Sequence, residues 1–213
     1  MTNKPVLPRH RASRQRGVVL LFCLIILVVL LAGGVAIIRS MNSSMATAGN
    51  LAFRRDLVNQ GEQAISKAMQ AFAAGGALGA ADATSTSVPG ANYSAIQLKA
   101  NARGIPELLL KTSTSPSGTD VAGNTFTPTG GDLTGNEGVK IRYVIDRMCN
   151  ATGAFGTLGN GRCVASPVAA ATGGTAGEDR PPVTSPPLYR VTVRVDGPRD
   201  TQVFLQSSFS KPE

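Results

Sequence analysis

One histidine and three cysteines are the scarcest chemical groups in this 213-residue chain, and neither is placed for catalysis. A Ser-His-Asp or Cys-His arrangement needs an imidazole to take the nucleophile's proton. The single histidine, His10, lies in a basic N-terminal stretch ahead of a point where the chain is expected to be cut. No phosphate loop of the GxxxxGK type occurs, and the glycines are scattered among Ser, Thr and Ala. Asp132-Leu133-Thr134-Gly135-Asn136-Glu137 gathers oxygens but lacks the ordered ligand spacing of a calcium loop, so it reads as a turn. One histidine and so few thiols do not complete a metal site. No enzyme, cofactor or metal centre is expected. The chemistry this sequence invites is done to it, at the Gly17–Val18 junction, where a small residue separates a basic leader from an apolar run.

That run, Val18 to Ile38, contains no Asp, Glu, Lys or Arg and, as a helix rising about 1.5 Å per residue, is long enough to cross a bilayer core. Lys4, Arg9, Arg11, Arg14 and Arg16 precede it with no acid among them, a flank that stays cytoplasmic and sends everything after Ile38 outside. Three readings compete. An ordinary anchor would keep its basic tail. A secretory signal has an apolar region of only about 7–15 residues before a small-x-small site. Ala46-Thr47-Ala48 supplies such a site, but Arg39, Asn42 and two serines separate it from an overlong run. A prepilin-type leader would be cut after Gly17, leaving the whole apolar segment on the mature protein. The residues alone do not separate the first reading from the third.

Arg16-Gly17 followed by Val18-Val19-Leu20-Leu21 resembles the cleavage region of type IV prepilins. Ala48-Gly49-Asn50-Leu51, Arg55-Asp56 and Glu62-Gln63-Ala64-Ile65 are similar to the helix segment of the PilX-type minor pilins of bacterial type IV pili. Tyr189 to Arg199 resembles that family's ending. The likeness covers about the first seventy residues and the last twenty-five. It implies a type IV pilin-like fold, recognition of a leader carrying Arg14 and Arg16 by the prepilin peptidase, cleavage between Gly17 and Val18, and N-methylation of Val18. It also implies a place among the minor pilins that prime a filament, at or near its tip. Most pilins have Phe at the first mature position and Glu at the fifth; here Val18 and Phe22 stand there. That glutamate is thought to pair with a neighbouring subunit's terminal amine, and Phe22 cannot. A subunit that begins a filament has no earlier neighbour whose amine needs neutralising.

Removing residues 1–17 takes five of the 21 basic residues and none of the 13 acids, lowering the formal charge from +8 to +3. The basic balance is therefore partly a topological signal and poor evidence for nucleic acid. Arg190, Arg194 and Arg199 form the obvious basic cluster, and some pilins bind DNA. No aromatic-and-basic alternation accompanies it, so it reads as a solvated strand face and no nucleic-acid partner is expected. Cys23 sits in the apolar run as a small hydrophobe. Cys149 and Cys163 flank a Gly-rich loop in the exported part, where an oxidising compartment makes a disulfide the natural reading.

Leu51, Val58, Ile65 and Phe72 recur every seven residues, flanked by Leu57, Ala64, Ala68 and Met69 and backed by charged and amide residues. This predicts an amphipathic helix with one face to bury. From Val18 to about Ala74 the helix would run roughly 85 Å if straight, with Gly33-Gly34 and Gly49-Asn50 as weak points and a local break expected near the first. Past Gly75-Gly76 the composition turns to Gly, Ala, Ser and Thr. Val139–Ile145 alternates to bury Ile141, Tyr143 and Ile145. Leu188–Asp196 turns Tyr189, Val191, Val193 and Val195 inward and Arg190, Thr192 and Arg194 outward. Gly197-Pro198-Arg199-Asp200 is turn chemistry ahead of a returning strand, Thr201–Phe209. Tyr93–Lys99 is a further candidate strand. Thr112–Gly138, Asn150–Arg162 and Val164–Pro187, with its Arg180-Pro181-Pro182, read as long loops.

The expected organisation is a leader over 1–17, a helix over 18–74 (transmembrane 18–38, amphipathic 39–74), and a β-rich head over 75–213. The fold class is α+β, one long helix on a small antiparallel sheet. The expected location is the bacterial inner membrane, single-pass with a cytoplasmic N-terminus and a periplasmic head, then the pilus. Expected partners are that membrane, the prepilin peptidase, other minor pilins, the major pilin and a tip adhesin. A type II secretion pseudopilin shares the leader and the fold, and the matched C-terminal strand disfavours it. A plain membrane-anchored periplasmic binding protein would keep its leader.

Overall fold

The structure, a computed structural model, describes residues 16–113, 116–166 and 186–211. Arg14 and the proline-rich Arg180-Pro181-Pro182 lie outside the described residues. Two compact units divide the chain, one up to Ala52 and one from Phe53 to the end.

Helix α1 spans Arg16–Phe72 as one 57-residue element. It continues through Gly33-Gly34 and Gly49-Asn50, so the expected break is not there. Glycine lowers helix propensity by about 1 kcal/mol relative to Ala but keeps its N–H donor, unlike proline, and the hydrogen-bond ladder survives it. The first unit holds the apolar half, whose large side chains are exposed throughout; the least exposed, Ile25, is still 48% accessible.

The second unit, the head, begins with the Phe53–Phe72 part of α1. After short turns come β1 (Tyr93–Ser94), a one-turn helix α2 (Glu107–Leu110), β2 (Gly118–Thr119) and β3 (Thr125–Phe126). Then follow β4 (Leu133–Thr134), β5 (Lys140–Arg147), a one-turn helix α3 (Phe155–Leu158), β6 (Leu188–Asp196) and β7 (Gln202–Ser210). The central sheet is ordered β1-β5-β6-β7, with β4 also paired to β5. β5, β6 and β7 form an antiparallel meander, Tyr143 opposite Val193 and Val193 opposite Leu205. β1 runs parallel to β5, which makes the sheet mixed rather than antiparallel throughout. Only Tyr93–Ser94 of the expected Tyr93–Lys99 strand joins it, because Ile96 to Lys99 turns off to bond β2 and the turn after it: Lys99 N–H donates to Thr119 O and Val121 N–H to Gln97 O. The layout is α+β.

The core forms where α1 meets one face of the sheet. Ile141, Tyr143 and Ile145 of β5 and Tyr189, Val191, Val193 and Val195 of β6 are buried there, as the alternation predicts. The helix buries the predicted stripe, but centred on its flanking residues rather than on the heptad Leu51-Val58-Ile65-Phe72. Leu57, Ala64 and Ala68 are fully buried, Val58 and Ile65 only partly, and Leu51 is 52% exposed. Small residues run along the contact because the sheet presses close. A Cβ on Gly61 would stand 2.8 Å from Val195 Cγ2 and nearer still to Leu205 Cδ1. Phe72 closes the far end, edge-on to Tyr93, Tyr189 and Phe209, the arrangement aromatic quadrupoles prefer.

The opposite face of the sheet is covered as well. Leu98, Leu108, Leu109, Phe126 and Val144 make a second apolar cluster, with Ile105 and Phe204 packed against it. The long stretch Thr112–Gly138, expected to be a loop, therefore carries the β2–β3 hairpin, part of a layer over that face, and β4, which joins the sheet beside β5.

Candidate functional site

Two places bear on function: the N-terminal junction in the first unit and a charged layer in the head. At the junction Arg16 opens α1, and Gly17 and Val18 lie in its first turn. Nothing lies within 4 Å of where a Gly17 side chain would begin, Val18 is 57% exposed and Phe22 is 60% exposed. The helix is long and apolar enough to cross a membrane by length and composition. Cys23 is a free thiol on its exposed surface. Having no acidic residue in its first turn, α1 leaves its N-terminal dipole uncompensated by its own side chains.

Arg190, Thr192 and Arg194 are not a solvated strand face. Arg190 is 7% exposed, Thr192 1% and Arg194 4%, because the layer from Leu98 to Phe126 sits on them. The guanidiniums of Arg190 and Arg194 are each met by a carboxylate. Arg190 Nε donates to Asp146 Oδ1 at 2.9 Å and its Nη2 to Asp146 Oδ2, a two-bond fork. Asp146 Oδ2 also accepts from the Leu98 N–H at 3.0 Å, which ties the covering layer to the sheet. Burial pushes the Asp146 carboxyl above its ordinary range, against the opposing pull of Arg190 and the Leu98 amide. Arg194 Nε lies 2.9 and 2.8 Å from the two oxygens of Asp196, and its Nη1 donates to the Leu109 and Lys111 carbonyls.

Arg142 lies opposite Arg194 in register, a like-charge pair that would repel if left bare. Asp132 neutralises Arg142 through two 2.9 Å bonds, which holds the guanidinium above its usual range. The oxygen-rich Asp132–Glu137 stretch is thus used structurally. Asp132 pairs with Arg142, Leu133–Thr134 is β4, and the Asn136 N–H donates to Gln60 Oε1 on α1. Among the described residues no group of three His, Cys, Asp or Glu side chains is placed to hold a metal ion. A polar cleft of about 280 Å³ opens beside these pairs, lined among others by Lys140, Arg142, Arg194, Asp196 and Asp200. Asp200 and Arg199 form its turn with φ of 56° and 58°, so Arg199 stands apart from the two buried arginines.

Cys149 and Cys163 are joined as a disulfide, fourteen positions apart. Beneath the loop it closes, Arg147 is fully buried. Its Nε donates to the Ala95 carbonyl at 3.2 Å and its Nη2 to the Gly153 carbonyl at 2.8 Å.

Single-strand alternation missed this charged layer, but cross-strand order carries a signal of it. On that face β5 reads Lys140, Arg142, Val144, Asp146 and β6 reads Asp196, Arg194, Thr192, Arg190. The order places opposite charges against each other at both ends. Comparison with protein-family models, with curated proteins and with solved structures gives no match for this chain.

Proposed function

We propose that the chain is a PilX-type minor pilin of a type IV pilus. It is made as an inner-membrane precursor with a cytoplasmic N-terminus and a periplasmic head, and is cut by the prepilin peptidase between Gly17 and Val18 after a leader carrying Arg14 and Arg16. Val18 is then N-methylated, and the subunit joins other minor pilins to prime the filament at or near its tip. One observation carries this reading. The exposed, charge-free segment Val18–Ile38 begins immediately after a small residue that ends a basic leader, and its helix runs without a break into the half that packs on the head's sheet.

The parts then divide the labour. The apolar segment stores the subunit in the membrane and later packs among other such helices. Leu57, Ala64 and Ala68 hold the head to its helix. The head offers surface to minor pilins, the major pilin and a tip adhesin.

N-terminal sequencing of the protein extracted from membranes tests the reading. The expected start is N-methylated Val18, and Gly17→Asp abolishes the cut. A start at Met1 or Thr2 overturns it in favour of a plain anchored protein. Deletion of the protein separates the two pilin-type systems: loss of twitching motility is expected, whereas loss of secretion with twitching intact assigns the chain to a type II secretion pseudopilus.

A further inference from the structure

The rim of the disulfide loop carries a reactive pair of residues. Asn160 and Gly161 are the central residues of a turn. It is closed by the Arg162 N–H, which donates to the Gly159 carbonyl at 3.3 Å, and by the Cys163 N–H, which reaches the same oxygen at 3.2 Å. They form the one Asn-Gly step in the sequence. Asn160, Gly161 and Arg162 are all exposed.

An asparagine side-chain amide is open to attack by the backbone nitrogen of the next residue, which closes a five-membered ring. Peptide resonance makes that nitrogen a poor nucleophile until it loses its proton. It must therefore be open to water and free of an acceptor, and a side chain on its own residue crowds the approach. Gly161 meets every condition. Its N–H donates to no group among the described residues, it has no Cβ, and nothing lies within 4 Å of where one would stand. The Asn160 amide likewise makes no hydrogen bond among the described residues.

The other described asparagines each fail one condition. Asn42, Asn50 and Asn59 lie inside α1, where the following N–H is held in the helical ladder. Asn92 Oδ1 accepts from the Gly130 N–H, Asn101 Oδ1 accepts from the Arg103 and Ile105 N–H groups, and Asn124 Nδ2 donates to Asp120. Asn136 and Asn150 are followed by Glu137 and Ala151, whose side chains crowd the attacking nitrogen.

We propose that Asn160 is a site of spontaneous deamidation, which places a carboxylate on the rim of the disulfide loop as the molecule ages. Water or hydroxide takes the Gly161 N–H proton and the nitrogen bonds to Asn160 Cγ. The Cγ–Nδ2 bond breaks, Nδ2 leaves as ammonia, and a cyclic imide remains. Water then adds to one of the two imide carbonyls. Opening on one side restores the main chain with an aspartyl side chain, and opening on the other leaves an isoaspartyl linkage. Water is the only co-reactant, and nothing is oxidised or reduced. Arg162 is the only charged residue between Cys149 and Cys163, so the new carboxylate cancels the loop's only charge. The proposal needs only this turn and stands whether or not the chain is a pilin.

The test ages the purified full chain in detergent micelles at neutral pH, without cell extract. After reduction and cleavage at arginine, mass spectrometry reads the Met148–Arg162 peptide. The expected product has lost ammonia and gained water at position 160, in two chromatographically distinct forms. It accumulates with time, and faster at higher pH, because the attacking nitrogen must be deprotonated. Gly161→Ala puts a methyl group into open space at an ordinary φ, so the fold is kept. It slows the conversion about tenfold, equivalent to about 1.4 kcal/mol on the barrier. In protein recovered from cells, the converted share at position 160 is larger in old than in newly made molecules. No conversion in the folded chain, equal rates in wild type and Gly161→Ala, or conversion at Asn150 ahead of Asn160 overturns the proposal. Equal shares in old and new molecules overturn it as well.

Discussion

Asp146 and Arg190 face each other inside the head at 0% and 7% exposure, and their energetics turn on the difference between breaking a buried pair and replacing it. Removing one partner strands a charge in a low-dielectric interior, at a cost of about 3–5 kcal/mol, whereas replacing both by apolar groups of similar volume is often close to neutral. Arg190→Met should therefore destabilise the head by about that amount in a urea melt. Arg190→Met with Asp146→Leu should recover much of the loss, though not all, because the Leu98 N–H loses its acceptor. A double variant no more stable than the single one would show that the pair holds the layer in place in a way packing cannot replace. Gly61 is the second residue where direction can be stated. Alanine there gains about 1 kcal/mol of helix propensity, but its Cβ would run into Leu205 and Val195, and forced overpacking costs about 1–3 kcal/mol. Gly61→Ala should lower the melting temperature, and Leu205→Ala in the same chain should relieve the closer of the two clashes while that with Val195 remains. A raised melting temperature in the single variant would mean that the helix can lift off the sheet without penalty.

The Cys149–Cys163 bridge is the one covalent clamp in the head. It closes a loop beneath which Arg147 is held by the Ala95 and Gly153 carbonyls. Closure of a loop of about fifteen residues is worth about 3 kcal/mol in the chain-entropy account. Cys149→Ser with Cys163→Ser should therefore lower the urea midpoint by about that free energy, and the loss should match that of wild type under reductant. An equal midpoint with and without reductant would place the stability of this region in the arginine contacts instead. Elements this local were the legible part of the sequence. Period-two alternation located β5 and β6 and chose their core face, turn chemistry located the β6–β7 hairpin, and an apolar run located α1. What alternation could not show was the second covering layer. A strand buried on both faces should read as continuously apolar, and here Arg190, Arg194, Arg142 and Asp146 disguise burial as exposure by pairing with one another or with Asp196 and Asp132. The residues of the helix face were legible but its centre line was not: heptad spacing weights large residues, whereas a helix lying close on a sheet puts Gly61, Ala64 and Ala68 at the contact and the larger Val58 and Ile65 beside it. The parallel pairing of β1 depends on contacts some fifty residues away and left no local trace.

At the scale of the whole chain, the two units answer to different solvents. The head pairs buried Arg190 with Asp146 and buried Arg194 with Asp196, whereas the first unit has no charge to pair between Val18 and Ile38 and exposes its apolar side chains, as a segment does whose solvent is lipid or other helices. Phe22 is the position at which these demands and the proposed tip location meet. A carboxylate within an apolar bundle costs several kcal/mol unless a cation meets it, and translocon-type scales put an acid at a helix centre about 2.5–3.5 kcal/mol uphill, with less near an end. In a subunit that follows another in a filament, a terminal amine can supply that cation. In a subunit that begins the filament none is available, so a glutamate at this position would remain neutral or unpaired. Phe22→Glu is therefore expected to lower the yield of the minor-pilin complex and the number of pili at unchanged precursor level and unchanged cleavage after Gly17. Phe22→Gln, polar but never charged, should be affected less, and Phe22→Leu should behave as wild type. If Phe22→Glu assembles complexes and pili as well as wild type, the missing carboxylate is irrelevant to assembly and the link between Phe22 and a tip location fails.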